Sequence, residues 1–223
     1  MNKPSGLYIY GRKPIEEALL ADPKNVKMLY VKESVDEKDL TDVRKFVERH
    51  KIPLTRVPEN KLVSLVGDIK TQGFVAELRE FKTLEFSEWI KTVDKESNPL
   101  VFVLDELEDP HNVGAIIRVA AAVGAAGVIM SKHRQAPMTS TVYKTSAGTA
   151  SRLPIIVVSN TNDVIKKLKD EKFWVMGLDA DEKKTIWDEK FDAPTALVIG
   201  NEGKGIRPTT KEACDYILSI PMK

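Results

Sequence analysis

The stretch Thr195–Ile206, TALVIGNEGKGI, joins an apolar run to a six-residue loop, GNEGKG, that is half glycine. The apolar run is typical of a strand that is buried on both faces of a sheet. The loop is not a Walker loop, because Gly205 stands after Lys204 where Ser or Thr is needed, and its glycine spacing does not match the dinucleotide-binding fingerprint. So many glycines indicate either an ordinary strand-to-helix turn or a loop whose backbone approaches a ligand closely.

Further apolar runs of the same kind fill the second half of the chain. They are LVFVLDE, GVIM, PIIVV, KFWVMGL and DYILSIP, which begin at residues 100, 127, 154, 172 and 215. Helical stretches around Val113–Val123, Thr139–Ser146 and Thr161–Glu171 lie among them. This alternation predicts an α/β domain with a parallel sheet over residues 100–223. Ligands of such sheets bind at the carboxyl ends of the strands, where GNEGKG lies.

The first half of the chain predicts a smaller α/β domain over residues 1–80. Its β-like runs, LYIYG, KMLYVKE, PLTRV and GFVAELRE, alternate with helical patterns at 14–21 and 36–50. The polar stretch between the two domains, residues 81–99, ends in Ser-Asn-Pro and predicts a linker that carries one short helix. We expect Trp89 to anchor that helix by burial.

Composition limits the kinds of partner. The chain has 223 residues, with 42% apolar and 30% charged residues, which is typical of globular proteins. Its net charge of +1 means that any RNA-binding surface must be local. The single cysteine, Cys214, excludes an internal disulfide, and the three histidines form no ligand set, so we expect no bound metal. With no signal core and no apolar run of membrane-spanning length, we expect a cytoplasmic protein without membrane contact.

Charge is distributed unevenly along the chain. There is no Asp or Glu from Pro110 to Asn162, although acidic and basic residues are nearly equal in number overall, 33 against 34. Such a gap indicates a surface kept clear for an anion, although part of the stretch also has the composition of a buried core. The basic residues inside it are Arg118, Lys132, Arg134, Lys144 and Arg152.

The segment Leu104–Met130, LDELEDPHNVGAIIRVAAAVGAAGVIM, contains the second candidate site. Asn112 follows a strand and a loop and opens an Ala-rich helix, where Asn is a good cap. Arg118 comes six residues later, so the two side chains share a face only if Asn112 lies just outside the helix. This arrangement predicts an anion site at a helix N-terminus. The simpler alternatives are a cap for Asn112 and an ordinary salt bridge for Arg118.

Three segments in this order, DPHNVGAIIRVAAAVGAAGVIM, ALVIGNEGKGI and LSIPMK, resemble the first, second and opening of the third motif of the SpoU/TrmH family of RNA 2′-O-methyltransferases. YIYGRKPIEEAL and TQGFVAEL resemble the accessory RNA-binding domain of the RlmB type, which methylates a guanosine ribose of large-subunit (23S) rRNA. The resemblance implies a trefoil-knotted (SPOUT) domain that binds S-adenosylmethionine, a homodimer, and an N-terminal domain similar to kink-turn-binding ribosomal proteins.

The resemblance also implies roles for individual residues. Asn112 and Arg118 would contact the substrate ribose and phosphate, and Glu202 would position one of them. Whether Arg118 acts as base or clamp stays open, because a guanidinium is essentially always protonated. The implied cofactor contacts are Leu178, Gly200, Ile220 and Met222. The basic residues expected to contact RNA are Arg12, Lys13, Lys132, Arg134 and Lys144.

Other functions stay open at this point. The chain could be an RNA-binding module or assembly factor with a degenerate transferase domain, or a nucleotide-binding regulator. In the family the third motif continues past IPMK into a glycine and a Ser-Leu-Asn-Val-Ser segment, and we expect the natural protein to carry that continuation. The sequence leaves open whether the target is rRNA or tRNA.

Overall fold

The structure is a computed structural model, and it describes residues 7–79 and 81–221. The chain divides into two compact units. The first comprises residues 1–82 and 138–152, and the second comprises residues 83–137 and 153–223. The chain therefore crosses from one unit to the other three times, at residues 82, 137 and 152.

The described residues form ten strands and eight α-helices. The strands are β1 (Leu7–Tyr10), β2 (Val26–Lys32), β3 (Leu54–Val57), β4 (Phe74–Leu78), β5 (Leu100–Asp105), β6 (Gly127–Ser131), β7 (Ile155–Val158), β8 (Trp174–Leu178), β9 (Thr195–Gly200) and β10 (Tyr216–Leu218). The helices are α1 (Arg12–Ala21), α2 (Glu37–Arg49), α3 (Glu59–Val66), α4 (Phe86–Trp89), α5 (Pro110–Ala122), α6 (Ser140–Thr145), α7 (Thr161–Asp170) and α8 (Pro208–Ala213).

The first unit contains a mixed sheet in the order β1-β4-β2-β3. β4 pairs antiparallel with both of its neighbours, and β2 pairs parallel with β3. Helix α2 has the predicted amphipathic pattern, since Leu40, Val43 and Val47 are buried while Phe46 is half-buried. Helix α1 begins at Arg12, two residues before the predicted start, because Gly11 with its φ of 91° turns the chain directly from β1 into the helix.

Residues 138–152 belong to the first unit, although the sequence places them in the second domain. Helix α6 packs against β1, and its apolar residues Val142 and Tyr143 are buried. Arg152 pairs with Glu17 at 2.6 Å. The fit is close at Gly148, where an added Cβ would lie 2.5 Å from the Cβ of Glu17.

The second unit contains a six-stranded sheet in the order β10-β8-β9-β5-β6-β7. Every pairing in it is parallel, which confirms the predicted parallel α/β domain. Consecutive strands run from β5 through β6 to β7 on one side, and the chain then returns through β8, β9 and β10 on the other. The direction of winding therefore changes between β5 and β9. Loops that leave such a switch point diverge and create a crevice for ligands.

Residues 83–99, which fall in the predicted linker, pack into the core of the second unit. Phe86 and Trp89 are buried, as expected for Trp89, whose Nε1 donates a hydrogen bond to the Ala126 carbonyl at 3.1 Å. The backbone N–H of Leu84 donates to the Ile155 carbonyl at 2.8 Å. This mostly polar stretch thus contributes a few buried apolar side chains to the core of the second unit.

Candidate functional site

The two conspicuous motifs begin at neighbouring strand ends. Asp105, the last residue of β5, is aligned with Gly200, the last residue of β9. Beyond these two residues the chain forms helix α5 on one side and the GNEGKG loop on the other. Both motifs therefore leave the sheet at its switch point, on the carboxyl edge where the sequence predicts a site.

Helix α5 begins earlier than predicted, and this changes the role of Asn112. The cap is Asp109, whose carboxylate accepts a hydrogen bond from the His111 backbone N–H at 2.8 Å, and Pro110 occupies the first helical position. Asn112 lies inside the first turn, so the expectation that it caps the helix from outside is wrong. Six residues of helix then rotate Arg118 by about 600°, to a different face from Asn112.

The structure brings Asn112 and Glu202 together. The side-chain Nδ2 of Asn112 donates a hydrogen bond to the Glu202 Oε1 at 2.9 Å, which links helix α5 to the GNEGKG loop. A carboxylate can only accept hydrogen bonds, so the amide nitrogen faces Glu202 and the amide oxygen is left to accept from another group. The contact joins the first and second motifs through their polar side chains.

Arg118 stays apart from this pair. Its side chain is exposed and forms no ion pair or hydrogen bond with any residue that the structure describes. Val119 of the same helix and Val123, its C-cap residue, are 54% and 57% exposed. The exposed guanidinium is therefore available to an anion.

The glycines close the GNEGKG loop on itself. The backbones of Asn201 and Gly205 form two mutual hydrogen bonds, each 2.9 Å long, and Gly205 has a φ of 68°. A Cβ on Gly200 would lie 2.2 Å from the carbonyl carbon of Gly205, which is closer than atoms can approach. Gly200 is therefore required by the crossing of the loop's own backbone, and Gly205 by its left-handed conformation.

The Asn201 side chain anchors the loop at its start. Its Nδ2 donates to the Glu106 carbonyl at 2.9 Å, and its Oδ1 accepts from the backbone N–H groups of Gly203 at 3.0 Å and Lys204 at 3.2 Å. One amide thus fixes the turn and ties it to the end of β5. Sequence reasoning did not single out Asn201.

An ion pair between a buried carboxylate and a partly exposed arginine anchors the loop at its other end. Asp105 is fully buried, and its carboxylate accepts from the Arg207 Nη2 at 2.6 Å, the Nε at 3.0 Å and the backbone N–H at 3.1 Å. This hydrogen bonding raises the pKa of the Arg207 guanidinium further above its already high value. Sequence reasoning also missed this pair, although an Asp at the end of an apolar strand is a signal in itself, since a buried carboxylate needs a partner.

The predicted cofactor residues lie at three adjacent strand ends. Leu178 ends β8, Gly200 ends β9, and Ile220 follows β10, which pairs with β8 through Leu218 and Leu178. Leu178 is half-buried and Ile220 is 47% exposed, so this edge presents apolar surface beside bare backbone. Met222 lies outside the described residues.

Two predicted RNA contacts, Lys132 and Arg134, lie in the loop that follows β6. Lys132 is exposed. Arg134 adopts a left-handed φ of 53°, and its guanidinium lies 3.5 Å from the Glu106 carboxylate. Because β6 is the neighbour of β5, both cations lie at the same edge of the sheet as the Asn112–Glu202 pair.

The other predicted RNA contacts belong to the first unit. Arg12 and Lys13 open helix α1, and both pair with Glu16, at 2.7 Å and 3.2 Å. The side chain of Lys13 is nevertheless 84% exposed. Lys144 of helix α6 lies over the ring of Tyr10, with its Nζ 4.5 Å from the ring centroid.

Other kinds of chemistry find little support in the described part of the chain. No three His, Cys, Asp or Glu side chains among these residues are grouped so that they could hold a metal ion. Burial raises the pKa of the Cys214 thiol to about 12, so it is a poor nucleophile near neutral pH. None of the helices described is long and apolar enough to span a membrane.

Comparison with known proteins identifies the family. The SpoU rRNA Methylase family matches residues 99–223, and the RNA 2′-O ribose methyltransferase substrate binding domain matches residues 8–84. A TrmH family tRNA/rRNA methyltransferase of Staphylococcus haemolyticus is 34% identical, over 97% of this chain and 86% of that protein. A Bacillus subtilis protein of the same description is 35% identical, over 96% and 86%.

Solved structures agree on the fold. The SpoU methyltransferase AviRb from Streptomyces viridochromogenes, in complex with AdoMet, aligns with a TM-score of 0.79 and 24% identity, over 97% of this chain and 81% of that one. A crystal structure of an RNA 2′-O ribose methyltransferase aligns with a TM-score of 0.78 and 25% identity, over 97% and 79%. With one family domain matching more than half of the chain and relatives matching nearly all of it, this chain belongs to the SpoU/TrmH family of RNA 2′-O-ribose methyltransferases.

Proposed function

We propose that this protein transfers a methyl group from S-adenosylmethionine to the 2′-hydroxyl of a ribose in RNA, and that its target is a guanosine of large-subunit (23S) rRNA. The hydrogen bond between Asn112 and Glu202 carries the proposal, because it assembles a polar site from two motifs at the switch point of the sheet. Family membership supports the reaction. The choice of rRNA rests on the resemblance of the N-terminal segments, and the relatives' names allow tRNA as well.

The described residues fit the cofactor. Leu178 and Ile220 offer half-exposed apolar side chains for the adenosine, and Gly200 ends the neighbouring strand β9 beside Leu178. When bound, S-adenosylmethionine supplies a methyl group that is already activated by the positive sulfonium. The protein then has to bring the ribose hydroxyl into line with that methyl group and let its proton leave.

Asn112 orients the hydroxyl. Its nitrogen is held by Glu202, so its oxygen has a fixed direction and accepts the hydrogen bond of the ribose 2′-hydroxyl. Arg118 clamps the adjacent phosphate, since the planar guanidinium of an arginine can bind two phosphate oxygens at once. The departing proton passes to solvent, which reaches the exposed side chains of Glu202 and Arg118.

We further propose that the enzyme is a homodimer with the family's trefoil knot, and that the first unit binds RNA. The homodimer is supported by the exposed apolar side chains of Val119 and Val123 at the end of helix α5, which a second copy of the chain would bury. The exposed cation Lys13, together with Lys144, supports RNA binding by the first unit. The cytoplasmic location expected from the sequence stays a prediction.

The test is methyl transfer from radiolabelled S-adenosylmethionine to purified 23S rRNA, 16S rRNA and tRNA. We expect incorporation into 23S rRNA, with a product that resists alkaline hydrolysis at one guanosine, because a 2′-O-methyl group removes the attacking hydroxyl. Glu202→Ala serves as the negative control and should reduce incorporation to a small residual rate. Methylation of tRNA alone would contradict the rRNA assignment, and labelling of a base would contradict the reaction.

A further inference from the structure

We propose that Asp105 and Arg207 are positioning residues for the reaction: their ion pair holds the GNEGKG loop so that Glu202 meets Asn112. The inference rests on the proposed function for its catalytic consequence. Its structural part, the dependence of one hydrogen bond on a distant ion pair, stands on the geometry alone.

The position of the Glu202 side chain depends on contacts made by other residues of the loop. Its side chain is exposed, and Asn112 is its hydrogen-bond partner among the residues described. A single charged contact at a protein surface is weak and leaves long side chains free to change rotamer. The position of the carboxylate is therefore set by the backbone of the loop that carries it.

That backbone is fixed at two points, and both lead to the end of β5. Before Glu202, Asn201 bonds to the carbonyl of Glu106 at 2.9 Å. After the loop, Arg207 bonds to Asp105 through its backbone N–H and its guanidinium, and its Nη1 also lies 3.3 Å from the Glu106 carboxylate. Helix α5, which carries Asn112, leaves from the same strand end. The ion pair thus holds the loop that carries Glu202 against the same strand end from which the helix that carries Asn112 begins.

The Arg207 pair is the stronger of the two anchors. Asp105 is completely buried, so its charge must be compensated, and Arg207 provides a bidentate contact that also includes its backbone. Without Arg207 the carboxylate would draw water or other donors into the switch point, and the end of the loop would no longer be held against β5. Glu202 would then sample positions away from Asn112.

The direct test observes the Asn112 side-chain amide by NMR in the full chain, without RNA or cofactor. In Arg207→Gln, we expect the Nδ2 resonances of Asn112 to move to the positions that they take in Glu202→Ala. Asp105→Asn keeps an acceptor for the Arg207 backbone and gives a second variant if Arg207→Gln does not fold. Lys169→Gln is the control, because it breaks a lysine–aspartate pair, with Asp215, at the opposite edge of the same sheet.

The second test is a double-mutant cycle on kcat. Arg207→Gln should lower kcat on the order of 10²-fold in the wild-type background, as small misplacements of reacting groups do. In the Glu202→Ala background the same change should lower the residual kcat less than about threefold, because the carboxylate that Arg207 positions is absent.

The two tests separate the possible failures. Unchanged Asn112 resonances in a cooperatively folded Arg207→Gln or Asp105→Asn variant would overturn the inference. Equal losses of kcat in both backgrounds would also overturn it, since they would indicate general destabilisation. A wild-type chain that methylates no RNA would refute the proposed function, and the NMR comparison would still decide whether the ion pair positions Glu202.

Discussion

At the scale of single residues, Arg118 has a proposed functional role but makes no polar contact with the described residues that would stabilise the fold. It is exposed and unpaired within the described part of the chain. Arg118→Ala should therefore change the free energy of unfolding by no more than about 0.5 kcal/mol and yet abolish methyl transfer. Urea unfolding and a transfer assay, run on the same preparation, measure the two quantities.

Arg118→Lys distinguishes a clamp from a simple positive charge. A lysine keeps the charge but lacks the planar fork that binds two oxygens. We expect a loss of activity comparable to that of Arg118→Ala. Activity close to wild type in either variant would contradict the role assigned to this residue.

Gln135, in contrast, has a side chain that we expect to lower the free energy of unfolding. Both polar atoms of its amide are buried and have no hydrogen-bond partner among the described residues. An unsatisfied buried polar group costs about 1–3 kcal/mol, whereas an apolar group of similar shape avoids that cost. Gln135→Met should raise the free energy of unfolding by about 1 kcal/mol, seen as a higher urea midpoint. A lower midpoint in Gln135→Met would mean that the amide finds partners in solution.

At the scale of elements, the apolar runs predict all six strands of the second unit, because strands buried on both faces are nearly continuous in apolar residues. The start of helix α5 was harder to predict. The sequence DPHN offers two capping residues, Asp109 and Asn112, and Pro110 decides between them because proline is favoured at the first helical position. Helix α3 escaped prediction, since its two turns are too short for a clear periodicity.

Asp109 and Asn112 have different roles in helix α5: Asp109 caps the helix, and Asn112 is proposed to contact the substrate. Asp109→Ala should lower the free energy of unfolding by about 1 kcal/mol, because it removes the hydrogen bond to the His111 N–H. Asn112→Ala should have a much smaller effect on unfolding while eliminating activity. Urea denaturation of the two variants tests this, and an equal loss of stability in both would argue that Asn112 still contributes to the cap.

At the scale of the whole molecule, the sequence predicts the segments that form the proposed site but not the contacts that hold them together. Asn112 and Glu202 stand in recognisable segments, whereas Asp105 and Arg207 are about a hundred residues apart and their pairing depends on the order of strands in the sheet. The packing of residues 138–152 with the first unit depends on tertiary structure in the same way. Val142 and Tyr143 predict burial, but an apolar pattern does not say which sheet will bury them.

The division into units leads to a prediction for a fragment of residues 83–223. Because α6 packs against β1 of the first unit, removing residues 1–82 should uncover Val142 and Tyr143 and release Arg152 from Glu17. We expect residues 138–152 to lose amide protection in hydrogen exchange and to become the first site of limited proteolysis, while the parallel sheet stays protected. The fragment should also bind RNA more weakly and with a smaller salt dependence, because it lacks Arg12 and Lys13. Full protection of residues 138–152 in the fragment would show that this segment does not need the first unit to stay folded.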